Sequence, residues 1–429
     1  MTLVIRDALL DGAPATIVVR GGTIEAVHRG ASATTTAEPG ARVIDAAGLH
    51  AFPALRNGHT HAAMTLFRGW GDDLPLMEWL QGHIWPAEAR MTADDVYHGT
   101  RLAQVEMIRS GTVYFNDMYW HADAVARAVA EMGLRAHLGS VFIDHGDPDT
   151  ARRWKDDVLR RIEERDALPD RLDLALAPHA IYTVSPANLE WLGRLARDHD
   201  LLLHIHLSET EDEVQRCVAE HGVRPTHLLE RLGLLGPHLV AAHGVYLDRD
   251  ELGLLGEAGA TVVTNPAANL KLATGGIFDY PGARAAGVRV VLGTDGPGSN
   301  NNLDLVEEMK IAALVQKHRA RDATALSARE ALALATTCAA EAFRLGTGRI
   351  EPGQAADLIL VDLSGAGTQP GHDPVSDLVY AASGACVHTT VCDGRVLMHD
   401  RRIEVADEKE IIAEAVRAAR GLVARVGGG

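Results

Sequence analysis

Residues 201–209 read Leu201-Leu-Leu-His204-Ile-His206-Leu-Ser-Glu209. A short apolar run with no polar alternation is what a strand buried on both faces looks like. This one gives way to polar, chemistry-bearing residues as it ends. The same texture recurs at 113–115, 135–139, 172–177, 239–242, 261–264 and 289–292, all rich in Val, Ile and Leu. Amphipathic stretches lie between most of them, at 92–109, 122–132, 151–164 and 186–198. A first strand around 52–58 brings the number to eight, which a closed (β/α)₈ barrel of the TIM type requires. A doubly wound open sheet is the alternative, but no Gly-rich dinucleotide fingerprint follows the first strand.

Outside the barrel the texture changes. Residues 3–5, 16–19, 23–27 and 42–45 read as short strands, separated by Asp-Gly, Gly-Gly and Ala/Thr-rich breaks. Similar strands return at 358–361, 387–392 and 395–398, and a helix is expected over 408–423. One small β-sandwich domain assembled from both termini explains the two β-rich ends. The expected division is 1–52 and 345–429 (with its terminal helix) for that domain, around a catalytic barrel at 53–344.

The bulk properties narrow the partners. The 429 residues are 47% hydrophobic, and 41 Lys plus Arg against 58 Asp plus Glu leave a formal charge of −17. Nucleic acid and anionic membranes need a basic footprint, so neither is expected. The four cysteines show no metal or disulfide spacing and read as thiols of a reducing compartment. With no apolar h-region at the start and no run of about 18 apolar residues, a cytoplasmic protein acting on a small molecule is expected.

Active sites of barrels sit where the strands end, and there the polar residues cluster: Asn57-Gly-His59-Thr-His61, Pro178-His179, His206-Leu-Ser-Glu209, His243-Gly244 and Gly293-Thr-Asp295. His59 and His61 share a face if the backbone is extended. With His206 and Asp295 they form a set of imidazoles and one carboxylate suited to a divalent ion. His204 lies two residues deeper and reads as a hydrogen-bonded histidine behind the ligands. A divalent ion lowers the pKa of water towards ~7. Glu209 can take a proton from that water and deliver it to a ring nitrogen. Asp295 could also hold the attacking oxygen, and His243 could orient it. Trp79 and Glu88, in the long segment after the first strand, offer an aromatic wall and a carboxylate for a ring bearing ribose hydroxyls. Residues 265–272 and 299–302 read as loops that shape the rim.

These stretches, with Ala62-Ala-Met-Thr-Leu-Phe-Arg-Gly69, Asp73-Leu-Pro-Leu-Met-Glu-Trp79, Ile84-Trp-Pro-Ala-Glu88 and Gly348-Arg-Ile-Glu-Pro-Gly353, resemble the amidohydrolase superfamily. Within it, the resemblance is to the branch of methylthioadenosine/S-adenosylhomocysteine deaminases and chlorohydrolases. It implies one zinc per subunit, or ferrous iron, held by His59, His61, His206 and Asp295. It also implies Glu209 as proton shuttle and His243 beside the water. His179 would contact the purine, Trp79 pack on it and Glu88 bind ribose hydroxyls, in a homo-oligomer of the kind typical of the family. His179 stands where members with two metals often carry a carboxylated lysine, so one metal is implied.

One position departs from the pattern. Deaminases accepting S-adenosylhomocysteine carry an arginine after strand three, where this chain has Ser140. Arg152 or Arg153 could supply a second basic contact, with Asp144 and Asp147 opposing a carboxylate. The expected activity is hydrolytic removal of the 6-amino group from adenosine-type nucleosides with uncharged 5′ tails. The alternatives are a chlorohydrolase or deaminase of another ring (triazine, guanine, pterin), or a barrel that has lost catalysis.

Overall fold

The computed structural model describes residues 2–30 and 39–427, so the Ala/Thr-rich break at 31–38 lies outside the described residues. Two sheets organise the described residues. The first is a mixed sheet of nine strands drawn from both ends. It takes in β1 (Thr2–Leu10), β2 (Ala13–Arg20), β3 (Thr23–Arg29), β4 (Arg42–Asp45) and β5 (His50–Pro53) from the start of the chain. The second is eight parallel strands in chain order: β6 (Leu55–Thr60), β7 (Thr112–Asp117), β8 (Arg135–Phe142), β9 (Leu172–Pro178), β10 (Leu202–Leu207), β11 (Leu239–His243), β12 (Thr261–Thr264) and β13 (Arg289–Leu292). The chain then returns to the first sheet with β14 (Leu358–Val361), β15 (Val387–Cys392), β16 (Arg395–His399) and β17 (Arg402–Ile403).

The expected first strand at 52–58 is in fact two strands. Phe52 pairs with Ile359 of β14 in the mixed sheet, while Asn57 pairs with Phe115 of β7 in the barrel. The chain passes between the sheets at Ala54, whose N–H is bonded to the Asp357 carbonyl. An apolar run buried at both ends gives no sequence signal for such a switch.

Barrel closure depends on glycine. The Asp295 N–H reaches the His59 carbonyl at 3.0 Å, and Asn57 Nδ2 donates to Thr294 Oγ1 at 2.7 Å. A Cβ on Gly58 would lie 2.8 Å from Val291 Cγ2 and 3.0 Å from the Leu292 carbonyl, so only glycine lets β6 approach β13 this closely. The barrel strands are buried along nearly their whole length, as their Val/Leu/Ala composition requires.

Helices cover the outside, several of them started by side-chain caps. Thr92 with Asp95 and Asp248 with Glu251 form capping boxes at the helices Ala93–Arg109 and Arg249–Glu257. The terminal helix Glu408–Gly427 lies along Ala93–Arg109 and is pinned by Arg101–Glu414 at 2.8 Å and Arg109–Glu408 at 2.6 Å. Among the described residues no helix is long and apolar enough to cross a membrane.

Candidate active site

Barrel geometry carries the ends of β6, β10, β11 and β13 to one rim, and the side chains there converge. His59 Nε2 and His61 Nε2 lie 3.3 and 3.2 Å from the same oxygen, Asp295 Oδ1. His206 Nε2 lies 3.3 Å from His61 Nε2. The ligand-type atoms of His59, His61 and Asp295 fall within 4.8 Å of one another, as do those of His59, His206 and His243. The backbone is held in the left-handed region at three of these turns, with φ of 51° at Ser208, 76° at His243 and 60° at Asp295. Non-glycine residues avoid that region unless the surroundings enforce it, and such strain gathers at functional sites.

The donors fit a divalent cation. Among the described residues no group makes a well-aligned hydrogen bond to the buried His59 Nε2, which has the Asp295 carboxylate 3.3 Å away, and the Nε2 atoms of His61 and His206 point at one another. The opposite ring nitrogens are anchored. His61 Nδ1 meets the Met118 carbonyl at 2.6 Å, and His206 Nδ1 meets the His179 carbonyl at 2.8 Å. Those carbonyls accept a hydrogen bond from Nδ1–H and so leave Nε2 of the neutral ring free to ligate. His59 Nδ1 is paired with His204 Nε2 at 2.9 Å, so His204 stands behind a ligand-type ring. Burial pushes His59 down to about 3 and also lowers His206. Burial would lower His61 as well, but Asp295 and the Met118 carbonyl outweigh it and hold the ring at about 9. For Asp295, burial is overcome by the two imidazoles, and its carboxyl sits well below the usual range. The cluster therefore already pairs a carboxylate with a positive charge, and a metal displaces such a proton on binding.

Glu209 lies just beyond β10, buried, with Oε1 3.8 Å from His243 Nδ1. Burial and the nearby Asp295 carboxylate push its carboxyl up to about 8, so it holds a proton near neutral pH. Its backbone is fixed by Glu213, which accepts the N–H groups of Ser208 and Glu209, each at 2.8 Å. Asn265 Nδ2 and Asn269 Nδ2 lie 3.3 and 3.0 Å from His243 Nδ1. Ser299 donates to Asp295 Oδ2 at 2.6 Å. The segment 266–271, expected as a loop, is a short helix, and Asn265 and Asn269 lie one turn apart on one face of it. That spacing was the available signal for their shared contact; nothing in the sequence pointed to Glu213.

A pocket opens above the cluster. Trp79, Glu88, His179, Tyr119 and Tyr182 line it together with His61, His206, Glu209, His243 and Asp295. Burial pushes the half-buried Glu88 carboxyl above its ordinary value, against hydrogen bonds from Tyr119 and Trp120. Burial and neighbouring imidazoles hold His179 at about 3, a neutral ring whose Nδ1 lies 3.0 Å from Thr183 Oγ1. Trp79 sits in the short helix Leu76–Trp79 and packs on Gly298, where a Cβ would fall 3.0 Å from its ring. Lys271 secures this wall by donating to Asp72 Oδ1 at 2.7 Å, Asn301 Oδ1 at 2.6 Å and the Gly298 carbonyl at 3.1 Å.

Three expectations about a charged tail need correction. Arg152 is not brought to the pocket. It lies on the outer face of the helix Pro148–Glu164, 73% exposed and paired with Asp149 at 3.3 Å. Asp144 is buried in a turn, accepting from Ser185 and Asn188, and Asp147 caps that helix, so neither lines the pocket. Ser140 falls inside β8, not after it, because the strand runs on to Phe142.

The model of the amidohydrolase family matches residues 51–397. A protein of Methanoregula boonei named 5′-deoxyadenosine deaminase is 51% identical over 384 residues, covering 89% of this chain and 86% of that one. A 5-methylthioadenosine/S-adenosylhomocysteine deaminase of Thermococcus kodakarensis is 43% identical over 390 residues, 91% of each chain. The crystal structure of an adenosine deaminase from Xanthomonas campestris with bound zinc superimposes with a TM-score of 0.91 at 38% identity, covering 98% of both chains.

Proposed function

Because the chain belongs to the amidohydrolase family, we propose that it is a zinc-dependent deaminase. It would convert adenosine-type nucleosides with uncharged 5′ positions to the inosine-type product and ammonia. The observation that carries this reading is a buried carboxyl, Glu209, held near pH 8 beside a three-imidazole, one-carboxylate cluster at the floor of a pocket. Relatives named as deaminases of 5′-deoxyadenosine and of methylthioadenosine support it. We assign catalysis to the barrel at 53–344, flanked by the terminal segments 1–52 and 345–429.

Zinc held by His59, His61, His206 and Asp295 would supply a water acidified to near neutrality. The rest falls to the chain's own residues. Trp79 and His179 hold the purine ring, and Glu88 takes the ribose hydroxyls. Glu209 gives its proton to N1 as the C6–O bond forms, which removes electron density from the ring and opens C6 to addition. Asp295 and His243 flank the incoming oxygen, and its remaining proton passes by way of Asp295 to the Glu209 carboxylate. Glu209 hands that proton to the leaving amine as the C6–N bond breaks and the C6=O bond forms, and ammonia departs. Water has thus supplied both the proton on N1 and the one on the amine. The pocket walls of Trp79 and Tyr182 exclude bulk water, so these charges act in a medium of low dielectric.

The test offers the zinc-reconstituted protein adenosine, 5′-deoxyadenosine, methylthioadenosine and S-adenosylhomocysteine separately and follows the adenine-to-hypoxanthine absorbance change. Turnover of the uncharged three is expected, with S-adenosylhomocysteine the poorest. Silence on all four with zinc bound would move the substrate to another ring, and a preference for S-adenosylhomocysteine would overturn the uncharged-tail assignment.

A further inference from the structure

The stretch Leu76-Met-Glu-Trp79-Leu-Gln-Gly-His-Ile-Trp-Pro-Ala-Glu88 forms one helix in three consecutive pieces, Leu76–Trp79, Leu80–Ile84 and Trp85–Glu88. The outer pieces are α-helical. The middle piece is a single π turn, in which the Trp85 N–H bonds the Leu80 carbonyl five residues back. Such wide turns are rare and gather at functional sites. The chemistry proposed above uses Trp79 and Glu88 but gives the turn between them no work.

The spacing of the pocket residues shows what the turn does. Leu76, Trp79, Leu80, Ile84, Trp85 and Glu88 all line the catalytic pocket. Counted from Leu76 they stand at steps 0, 3, 4, 8, 9 and 12. An α-helix turns by about 100° per residue, so an unbroken one would scatter this set and put Trp85 opposite Leu76. The bond across the π turn closes over one residue more than an α turn does. With that residue discounted the steps become 0, 3, 4, 7, 8 and 11, the single stripe of an amphipathic helix. Glu88 likewise moves from the face opposite Trp79 to the face they share. Two residues on the outer side allow this. Pro86 has no N–H, and in an unbroken α-helix its ring would press on the Gly82 carbonyl four residues back. Gly82 is exposed, and a Cβ there would meet nothing within 4 Å. Neither residue lines the pocket.

We propose that Pro86 and Gly82 are positioning residues for the nucleoside. The wide turn they permit sets the phase of the helix, so that Trp79 on the purine and Glu88 on the ribose hydroxyls meet one substrate. The proposal rests on the deaminase reading and deepens it, because it assigns recognition of the ribose to the register of this helix. Pro86→Ala supplies an N–H to the Gly82 carbonyl and lets the turn close, which rotates Glu88 by about 100° away from Trp79. Deleting Gly82 alone takes the extra residue out but forces the Pro86 ring against the Gln81 carbonyl. Made together, the two changes give a straight α-helix in which Glu88 is again in phase. Each change should do harm, and the pair should undo it.

The experiment measures kcat/KM of the zinc-loaded enzyme for adenosine and for 2′,3′-dideoxyadenosine, which lacks the hydroxyls, in the parent, in Pro86→Ala, in the Gly82 deletion and in the combination. Calorimetric binding of inosine gives a readout independent of turnover, and melting temperature checks folding. The parent is expected to prefer adenosine tenfold or more. Each single change should cut that preference at least fivefold, through KM, and weaken inosine binding to match. The combination should regain the parent's preference to within about threefold. An unchanged preference in Pro86→Ala, or losses that simply add in the combination, would overturn the positioning role. Should the Gly82 deletion fail to fold, Pro86→Ala against the combination decides alone. A parent with no preference for adenosine would remove the ribose role of Glu88 and this inference, and leave the deaminase standing. No turnover of either nucleoside would overturn the deaminase reading and this inference with it.

Discussion

The two ends of the barrel both bury charge, and they treat it in opposite ways. At the end facing the mixed sheet, Arg56 is fully buried. It lies 3.5 Å from Asp357 and donates to the Ala54 carbonyl at 2.6 Å and Thr347 Oγ1 at 3.0 Å. Arg135 adds a second cation, 3.5 Å from Asp357 and 2.9 Å from Asp393. Cation faces anion there, and the ion pairs join barrel to sheet. At the opposite rim five imidazoles crowd together, ring nitrogens face one another, His59 Nε2 has only the Asp295 carboxylate at 3.3 Å near it, and three residues carry left-handed backbone. One end uses buried charge to hold the fold; the other gathers it in the cluster proposed to take a cation. Conserving strain at the rim requires the rest of the barrel to be over-determined.

Mutation should separate the two ends cleanly. The largest effect is expected at the rim: Glu209→Gln should lower kcat by about 10²–10⁴-fold, the usual weight of a positioned proton carrier, while zinc content and melting temperature stay near those of the parent. Metal analysis beside steady-state kinetics checks both halves. At the other end, Arg56→Met removes one of the two cations facing the buried Asp357, leaving Arg135 at 3.5 Å, and should cost up to about 3–5 kcal/mol of stability, with kcat per folded molecule unchanged. Denaturant unfolding measures this, and a loss of kcat in the folded fraction would break the contrast.

A smaller effect is expected at the pocket wall. Lys271→Met frees Asp72, Asn301 and the Gly298 carbonyl behind Trp79. It should raise KM for the nucleoside several-fold with little change in kcat, because the wall binds and does not react. An unchanged KM would detach Lys271 from the site.

The smallest effect is a pH slope. Burial pushes Glu308, which takes bonds from Asn300 and the Ala267 N–H, up to about 8. Its unfolded value is near 4.3, so between those limits the folded state keeps a proton that the unfolded chain has released. Stability therefore falls as pH rises through that window, by at most ~1.4 kcal/mol per unit for one such group. Glu308→Gln should flatten the slope in melting experiments on metal-free protein from pH 5 to 8; a parallel slope would contradict the assignment.

How much of this was legible in the sequence differed between the same two regions. The rim announced itself, because His59, His61, His206, His243 and Asp295 each end an apolar run and the barrel brings strand ends together whatever the loops do. The sheet end was harder. The 52–58 run serves two sheets, and its division at Ala54 depends on a backbone bond to Asp357, some 300 residues away in the chain. Glu213 was invisible because it acts through backbone N–H groups, which carry no residue-specific signal, and Lys271 because its partners Asp72 and Asn301 lie far from it in the chain. Arg152 failed for a related reason: spacing placed it near Ser140, but helical phase turned it outward to Asp149.

The proposed joint work of the rim cluster and Glu209 in hydrolytic deamination is tested most directly by supplying 5′-deoxyadenosine to zinc-loaded enzyme and to its Glu209→Gln variant with equal zinc, and quantifying ammonia and 5′-deoxyinosine together. One ammonia per 5′-deoxyinosine is expected in the parent, with near-complete loss of both in the variant. Equal rates in the two proteins, or no ammonia from the zinc-loaded parent, would contradict it.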